Sequence, residues 1–543
     1  METLAADLRQ MQRTPLHEAH VAQLLALGKR QTFDAGQMVI DMGEPMDRFI
    51  YVLEGEIELV NPVTHVRQIP DTLGPGQFVG EIAFLYGGAV TIPLRACKHT
   101  LTVVVPRAEM LTLMARTPEM SDIIITVFAA RRRRMLEDGL SGLTLIGADE
   151  TAEMRRVSAF ISRNRIPAKR LPLGCPEAEA KAAECQLNAT EPHVLFGKDQ
   201  VIADATPETV AKVLNLDLAL EDDTRVDLLI VGGGPAGVAA AVYAGAEGLS
   251  ALVVDSLAVG GQAGTSSRIE NYMGFPTGIS GADLVWRGEV QAMKFGTRFA
   301  VPRSVVSLEQ QDDDYFCATL DDGIHVLAKS VLVATGVQYR RLPLENLEAL
   351  EGFGIYYAAT ESEARYCQNT DVVVVGGGNS AGQAAMFLSR TANHVHVLVR
   401  KDSLAASMSD YLSSRLQADP RITIHFRTEI DALIGDDALE SITLKGDSAE
   451  PIAAIDTKAV FLMVGAAPET DWLRELIALD ERGFIKTGND AGQEGAFRTS
   501  RPGIYAVGDV RSGSVKRVAS AVGEGSVVIS DIWQYVNREQ SSA

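Results

Sequence analysis

Cysteine is scarce in this 543-residue sequence, and the few cysteines are far apart. There are five, and no two have the Cys-x-x-Cys spacing typical of a redox pair or a metal site. An odd number of scattered cysteines gives no disulfide framework, which favours the reducing cytoplasm and predicts no metal centre. The five are Cys97, Cys175, Cys185, Cys317 and Cys367.

Positive charge is also in short supply, since 50 Lys and Arg stand against 71 Asp and Glu for a formal net charge of -21. This balance argues against nucleic acid as a partner, because phosphates are bound by basic surfaces. The run Arg131–Arg134 is the local exception, and we expect it in a helix that faces solvent or another domain. No apolar run approaches the roughly 20 residues of a membrane span. No basic and apolar leader is visible at the N-terminus, so we expect a cytoplasmic protein without a membrane partner.

A complete dinucleotide-binding pattern begins at Val226. The apolar run 226–231 predicts a buried parallel strand, and a Gly-x-Gly-x-x-Gly turn follows at 232–237. An alanine-rich helix and a second strand that ends in Asp255 complete the unit. In such a unit the glycines allow a tight turn, close approach of a pyrophosphate and close helix packing, and the acid accepts hydrogen bonds from a ribose. The predicted ligands of the nucleotide are Gly232, Gly234, Pro235, Ala236, Gly237 and Asp255.

The same pattern recurs further along the chain. A strand at 371–375 leads into a Gly-x-Gly-x-x-Ala turn at 376–381, a helix and a strand at 395–399. This second strand ends in two cations instead of an acid, which suits the 2′-phosphate of NADPH. The first unit therefore fits FAD and the second fits NADPH, unless the two cations are only an exposed strand end. The predicted NADPH residues are Gly376, Gly378, Asn379, Ser380, Ala381, Arg400 and Lys401.

Five further motifs accompany the two turns between about residues 224 and 540: Gly260-Gly261-Gln262, Glu270-Asn271-Tyr272, Ala334-Thr335-Gly336, Gly465-Ala466-Ala467-Pro468 and residues 503–510. In this order they resemble the low-molecular-weight thioredoxin reductases. The resemblance implies FAD and NADPH as cofactors, a homodimer, hydride transfer from nicotinamide to flavin and rotation between two nucleotide domains. It adds as FAD residues Gly261, Gln262, Asn271, Ala334, Thr335, Gly336, Gly508, Asp509, Arg517, Val518 and Ala519, and as an NADPH residue Gly465.

The redox-active cysteine pair of that family has no counterpart in this sequence. The family's Cys-Ala-Thr-Cys-Asp stretch aligns with residues 358–362, so its cysteine positions hold Ala358 and Glu361. Neither a methyl group nor a carboxylate performs thiol–disulfide exchange. Cys367 is either a lone thiol that approaches the flavin or a small buried residue at the start of the next strand. The sequence therefore assigns no certain catalytic residue.

Short alternating runs between residues 33 and 106, separated by glycine turns, predict a β-barrel or jelly roll. Residues 76–83 resemble the phosphate cassette of cyclic nucleotide-binding domains, with Glu81 on the ribose 2′-hydroxyl. The phosphate-binding arginine of that family falls at Val90, although Arg95 lies five residues further on. A buried phosphate without its cation loses much of its binding free energy, so a docking or dimerisation module is the alternative to binding cAMP or cGMP. The candidate residues are Gly80, Glu81, Ile82 and Arg95.

Residues 142–222 show predicted strands and helices in the order βαβαββα, which resembles a thioredoxin or glutaredoxin fold. Glu191-Pro192 would carry the cis-proline of that fold, but its redox cysteines are missing near 148–152. The whole order resembles bacterial proteins in which a cyclic nucleotide-binding domain is fused to a thioredoxin reductase-like flavoprotein. The predicted fold is multidomain, with a β jelly-roll domain of cyclic nucleotide-binding type (1–140), a thioredoxin/glutaredoxin-like α/β domain without Cys-x-x-Cys (141–222), and two Rossmann-like three-layer domains for FAD (223–338 and 469–543) and NADPH (339–468).

Three functions fit these patterns. The first is an NADPH oxidoreductase that passes electrons from FAD to a non-disulfide acceptor, for example flavodoxin. The second is a regulatory flavoprotein that binds nucleotides and a redox partner without turnover. The third is a thioredoxin-disulfide reductase that uses Cys367 or the cysteines of a partner. We favour the first, because the two nucleotide turns are nearly intact while the dithiol is missing.

Overall fold

The computed structural model describes residues 11–538, apart from positions 63, 199, 217, 219, 267–268, 270–271, 312–314, 352, 358, 360–363, 365–366, 406, 437 and 447–450. The strands in this part of the chain form seven sheets. Within it, no helix combines the length and the apolar character needed to cross a membrane.

The N-terminal region is an antiparallel jelly roll, as the sequence predicts. Its two four-stranded sheets have the orders β1-β8-β3-β6 and β2-β7-β4-β5, and their inward side chains share one apolar core. Four aromatic rings lie in this core with centroids 5.2 to 5.9 Å apart, Phe49, Phe78, Phe84 and Phe128. The elements are α1 (Glu18–Leu27), β1 (Lys29–Phe33), β2 (Met38–Ile40), β3 (Arg48–Glu54), β4 (Ile57–Val60), β5 (Arg67–Leu73), β6 (Phe78–Val79), α2 (Ala83–Tyr86), β7 (Leu94–Ala96), β8 (Thr100–Pro106), α3 (Arg107–Arg116) and α4 (Pro118–Glu137).

Residues 142–222, called the thioredoxin-like region below, form the predicted βαβαββα order. The sheet order is β10-β9-β11-β12, with β10 parallel and β11 antiparallel to β9. The elements are β9 (Leu143–Ile146), α5 (Ala152–Arg163), β10 (Lys169–Leu171), α6 (Pro176–Glu184), β11 (His193–Phe196), β12 (Gln200–Val201) and α7 (Pro207–Val213).

The prediction of a cis-proline in this region is wrong. Glu191-Pro192 is not cis, and among the described residues the one cis peptide bond is Val301-Pro302. The Glu191 N–H donates to the Asn188 carbonyl oxygen at 3.2 Å, and this turn leads directly into β11.

The first nucleotide-binding pattern lies in a seven-stranded sheet of order β15-β14-β13-β18-β17-β16, with β29 also paired to β18. Alternate side chains of β13 enter two cores, as expected for a strand covered on both faces. Leu228 and Ile230 pack on the helix side, and Leu229 and Val231 pack against β16 and β17. The elements are β13 (Thr224–Val231), α8 (Pro235–Ala246), β14 (Ala251–Val254), α9 (Gly281–Lys294), β15 (Arg298–Ala300), β16 (Val305–Gln310), β17 (Phe316–Leu320), β18 (His325–Val333), β29 (Ile504–Ala506) and α13 (Val518–Val536).

The second pattern lies in a parallel sheet of order β20-β27-β21-β22-β23, next to the antiparallel sheet β24-β25-β26. The two chain segments that enter and leave this part pair with each other as the ribbon β19-β28. The elements are β19 (Gln338–Tyr339), α10 (Leu347–Leu350), β20 (Ile355–Tyr356), β21 (Asp371–Val375), α11 (Asn379–Leu388), β22 (His394–Val399), α12 (Asp410–Ala418), β23 (Ile422–Phe426), β24 (Glu429–Ile434), β25 (Ser441–Lys445), β26 (Pro451–Asp456), β27 (Val460–Leu462) and β28 (Ala466–Ala467).

The arginine run faces the interior of the protein on one side of α4. Arg132 is 7% exposed, and Arg131 donates to the carbonyl oxygens of Phe78 and Gly80 at 2.7 and 2.8 Å. Arg133 is exposed and pairs with Glu137 of the same helix at 3.0 Å. The run therefore lies partly against other parts of the protein and partly in solvent. This agrees with the expectation of a helix that faces solvent or another domain.

Candidate functional site

A cavity of about 660 Å³ opens where the parallel strands of the seven-stranded sheet end. The carboxyl ends of such strands are the usual place for a bound nucleotide. Most residues predicted from the sequence to bind FAD line it: Gly232, Gly234, Pro235, Ala236, Asp255, Gly261, Gln262, Ala334, Thr335, Gly336, Gly508, Asp509, Arg517 and Val518. Gly237 and Ala519 do not line it, and Asn271 lies outside the described residues.

The glycine turn at the start of α8 has the shape that a pyrophosphate needs. A methyl group on Gly237 would overlap the carbonyl oxygen of Gly232, so this glycine serves the packing of the helix on the turn. A methyl group on Gly234 would meet nothing, because this position opens on the cavity. Gly234 also precedes α8 without a capping side chain, which leaves the first backbone N–H groups of the helix for an anion. Thr335 also lines the cavity, and its buried hydroxyl has no hydrogen-bond partner among the described residues. These features fit FAD.

Asp255 is held firmly at the end of β14. Its carboxylate accepts the N–H groups of Gly233 at 2.8 Å, Leu257 at 3.0 Å and Ala258 at 3.1 Å. Burial raises the pKa of this group, while the three backbone donors oppose that rise. The orientation of the carboxylate is therefore fixed before a ribose arrives.

The second fingerprint is held in place by an ion pair that is only slightly exposed to solvent. The Glu524 carboxylate of α13 accepts the Gly508 N–H at 2.6 Å and pairs with Arg511 at 2.5 Å. This arrangement fixes the turn that presents Asp509 to the cavity. Burial raises the pKa of Asp509, and the positive charge of Lys516 opposes the rise.

The segment that precedes the missing dithiol borders the same cavity. Ile355, Tyr356 and Tyr357 all line it. The Tyr357 hydroxyl donates to Glu351 Oε1 at 2.6 Å, and Arg341 Nη2 pairs with the same carboxylate at 2.8 Å. Ala358 and Glu361, at the lost cysteine positions, lie outside the described residues. A polar cluster therefore borders the cavity a few residues before the sequence positions at which the dithiol is missing.

Cys367 is fully buried in the apolar core between α11 and the parallel sheet. It does not line the 660 Å³ cavity. This position favours the interpretation as a small core residue at the start of β21.

The turn at the start of α11 repeats the features of the first one. Gly376 has a φ of 146°, and a methyl group there would lie 2.5 Å from the Met463 carbonyl oxygen, so a side chain does not fit. Gly378 precedes the helix without a capping side chain. Arg400, at the end of β22, has 82% of its side chain exposed and lies 3.9 Å from Glu429. Exposed cations beside an uncapped helix start suit the phosphates of NADPH.

Several cavity residues belong to none of the sequence motifs. They are Arg163, Arg341, Glu351, Tyr357 and Lys516. Glu351 contacts Arg341 and Tyr357 across 10 and 6 positions of sequence, and these spacings belong to no motif found in the sequence.

The jelly roll contains a smaller cavity of about 120 Å³, lined by Gly80, Glu81 and Val90 among others. The Glu81 carboxylate is already engaged, since Arg132 donates to its two oxygens at 2.7 and 3.0 Å. Ile82 is buried in the apolar core.

Arg95 lies outside this cavity, although Leu94 lines it. Alternate residues of a strand point to opposite faces, and Arg95 of β7 points to Glu58 of β4, with Nε and Nη2 at 2.8 and 2.6 Å from Oε1. Val90, at the position of the phosphate arginine, is 3% exposed. The candidate phosphate cation is therefore committed to another partner.

Two Rossmann-like units in one chain, each with a glycine turn at the ends of parallel strands, define a two-nucleotide oxidoreductase of the α/β class. The family model of pyridine nucleotide-disulphide oxidoreductases matches residues 226–525, and that of the cyclic nucleotide-binding domain matches residues 30–117. The chain belongs to the pyridine nucleotide-disulphide oxidoreductase family and is a flavin-dependent oxidoreductase with an N-terminal domain of cyclic nucleotide-binding type. This confirms the resemblance found in the sequence.

The chain is also similar to individual curated proteins and to a solved structure. The thioredoxin reductase of Streptomyces clavuligerus is 32% identical over 311 residues, which cover 57% of this chain and 94% of that protein. The 34.2 kDa protein in the rubredoxin operon of Clostridium pasteurianum is 32% identical over 308 residues, covering 57% and 96%. Among solved structures, the Lactococcus lactis thioredoxin reductase in its FR conformation has a TM-score of 0.51 and 28% identity, and the match covers 58% of this chain and 99% of that one.

Proposed function

We propose that this chain oxidises NADPH, reduces FAD held in the 660 Å³ cavity and passes the electrons to an acceptor that is not a disulfide. The observation that carries this proposal is the composition of the cavity wall. Its glycine turns and acids fit FAD, yet no cysteine is found among the described residues that line it.

Different residues of the chain bind different parts of the two cofactors. The first turn of α8 receives the pyrophosphate, Asp255 the ribose and Asp509 the ribityl chain, while Arg400 and Lys401 select the 2′-phosphate of NADPH. Bound FAD would supply the hydride and electron chemistry of the reaction. The ribbon β19-β28 is flanked by Gly336 (φ 67°) and Gly465 (φ 93°), which have open space around them and can absorb the rotation between the two units.

Anaerobic titration with NADPH tests the proposal. We expect NADPH to bleach the flavin absorption of the purified protein, and we expect turnover with ferricyanide, a quinone or flavodoxin. Thioredoxin should support no turnover, because an exchange reaction needs a thiolate near the flavin. A flavin that NADPH leaves oxidised would contradict the proposal and favour a regulatory flavoprotein.

The variant Cys367→Ala tests the alternative that the protein is a thioredoxin-disulfide reductase that uses Cys367. Cys367 is buried in the apolar core and does not line the cavity, so the rate with the non-disulfide acceptor should stay unchanged. Cys317→Ala is the matched control, because Cys317 lies on β17 and does not line the cavity. Thioredoxin turnover that disappears in Cys367→Ala alone would establish a reductase with a non-standard thiol.

For the jelly roll we propose a docking role with weak or no binding of cyclic nucleotides. Val90 offers no charge, Arg95 is paired with Glu58, and Glu81 is paired with Arg132. Calorimetric titration of the full chain with cAMP and with cGMP should therefore show no micromolar binding. NADPH serves as the positive control for the same sample, and a micromolar Kd for either cyclic nucleotide would refute the docking role.

The division of the chain and its assembly are proposals too. We propose domain boundaries at 1–140, 141–222, 223–338 with 469–543, and 339–468. We also propose a cytoplasmic homodimer formed through the FAD domain, where Tyr243 of α8 and Val527 and Trp533 of α13 are exposed apolar side chains.

A further inference from the structure

Helix α5 reaches the FAD cavity from a region outside the matched oxidoreductase family. Arg163 is the last residue of α5, and it lines the cavity together with Asp255, Ser256 and Leu257. The family match begins at residue 226. The thioredoxin-like region thus places a cation at a cavity whose other lining residues all lie within the matched range 226–525.

The guanidinium group stands on the side of the cavity where a ribose is expected. A dinucleotide unit presents the acid after its second strand, here Asp255, to the ribose. Burial raises the pKa of Asp255, and the positive charge of Arg163 opposes the rise, so the two groups are within electrostatic reach of each other. Arginine suits such a place, because its planar guanidinium pairs with phosphate and stacks on aromatic rings.

Asn164 fixes the end of α5 against the wall of the cavity. Its Nδ2 donates to the carbonyl oxygen of Phe160 at 2.9 Å and to that of Leu257 at 3.1 Å. Leu257 in turn packs on the apolar core of the thioredoxin-like region. Arg163 therefore has a stable position relative to Asp255, which is only two residues before Leu257.

Arg165 holds the same turn from the other side. Its φ of 51° is in the left-handed region, which is unfavourable for a non-glycine residue and persists only where contacts enforce it. Its guanidinium pairs with Asp283 of α9 and lies 5.1 Å from the centroid of the Trp286 ring. Its carbonyl oxygen accepts a hydrogen bond from Arg132 Nη1 of the jelly-roll helix α4 at 3.1 Å. The turn is thus anchored to the sheet, to α9 and to the N-terminal domain.

We propose that Arg163 is an FAD-binding residue supplied by the thioredoxin-like region, and that it contacts the adenosine diphosphate part of the cofactor. This inference rests on the proposed function, since it requires FAD in the cavity. It gives the thioredoxin-like region, which has no Cys-x-x-Cys pair, a direct part in holding the cofactor.

The affinity of the full-length apoprotein for FAD, measured by the change in flavin fluorescence, tests this proposal. Arg163→Ala should raise the Kd about tenfold, and Arg163→Lys about threefold, because lysine keeps the charge but not the planar pairing. ADP is the probe for the assigned half of the cofactor, and its Kd should rise by the same factors.

Arg156 provides the matched control. It is also an arginine of α5, it is exposed, and it does not line the cavity, so Arg156→Ala should leave both Kd values unchanged. Equal FAD affinities for the wild type and a folded Arg163→Ala would overturn the inference and leave the proposed function intact. The inference would also be overturned, with the proposed function intact, if Arg163→Ala weakened the binding of FAD but not that of ADP. If Arg163→Ala does not fold, Arg163→Lys decides, and wild-type FAD affinity in that variant would overturn the inference. A wild-type chain that binds no FAD would overturn the inference and the proposed function together.

Discussion

The variant Arg132→Met should lower the free energy of unfolding of the N-terminal part by about 3–5 kcal/mol. The pair between Arg132 and Glu81 is shielded from water, since the two side chains are 8% and 16% exposed and lie 2.7 Å apart. Methionine removes the cation and leaves the carboxylate buried without its partner, which is the costly way to break such a pair. Denaturant unfolding followed by circular dichroism measures the loss, because the three tryptophans, Trp286, Trp472 and Trp533, all lie outside the N-terminal part.

Arg133→Met is the matched control on the same helix. Arg133 and its partner Glu137 are 55% and 53% exposed, and exposed pairs contribute only about 0–1 kcal/mol. The double variant Glu81→Leu/Arg132→Met should recover part of the loss, because the Glu81 carboxylate is then no longer left without its partner. The Arg165 carbonyl oxygen and the shielded Glu289 carboxylate still lose the contact or the charge of Arg132. A double variant as unstable as Arg132→Met alone would mean that packing, and not the unpaired carboxylate, causes the effect.

Local patterns in the sequence were enough to predict the two nucleotide units. The turn after β13 needs glycine because of contacts within a few residues, as between Gly232 and Gly237. The strands around it consist of nearly continuous apolar residues, and for this reason they are buried on both faces of the sheet. Such features depend on short stretches of chain, which a single sequence displays directly.

The contacts between residues that are far apart in the sequence could not be predicted in this way. Glu81 meets Arg132 across 51 positions of sequence, and Asn164 meets Leu257 across 93. Arg95 shows the same limit on a smaller scale. Its strand was predicted, but the alternation of β7 turns the side chain away from the cavity and toward Glu58. Only the packed sheets decide which face of a strand or helix meets which neighbour.

The variant Gly237→Ala should destabilise the apoprotein by about 3 kcal/mol, at the upper end of the cost of overpacking. Its new methyl group would overlap the Gly232 carbonyl oxygen, and a backbone atom cannot turn aside as a flexible side chain can. The helix α8 must then move away from the turn that receives the pyrophosphate. Purified Gly237→Ala should accordingly contain little flavin, and its thermal unfolding should begin well below that of the wild-type apoprotein.

The variant Gly234→Ala, three residues earlier in the same turn, tests the contact with the cofactor without an effect on folding. Gly234 has φ -70° and ψ -179°, which alanine adopts without strain, and a methyl group there meets no protein atom. The apoprotein should keep its stability, while FAD binds about tenfold to a hundredfold more weakly because the methyl group occupies the place of close approach to the phosphates. If Gly234→Ala instead lost apoprotein stability and kept its FAD affinity, the pyrophosphate would not lie against this turn. The opposite behaviour of two neighbouring glycines would show that one shapes the helix packing and the other faces the cofactor.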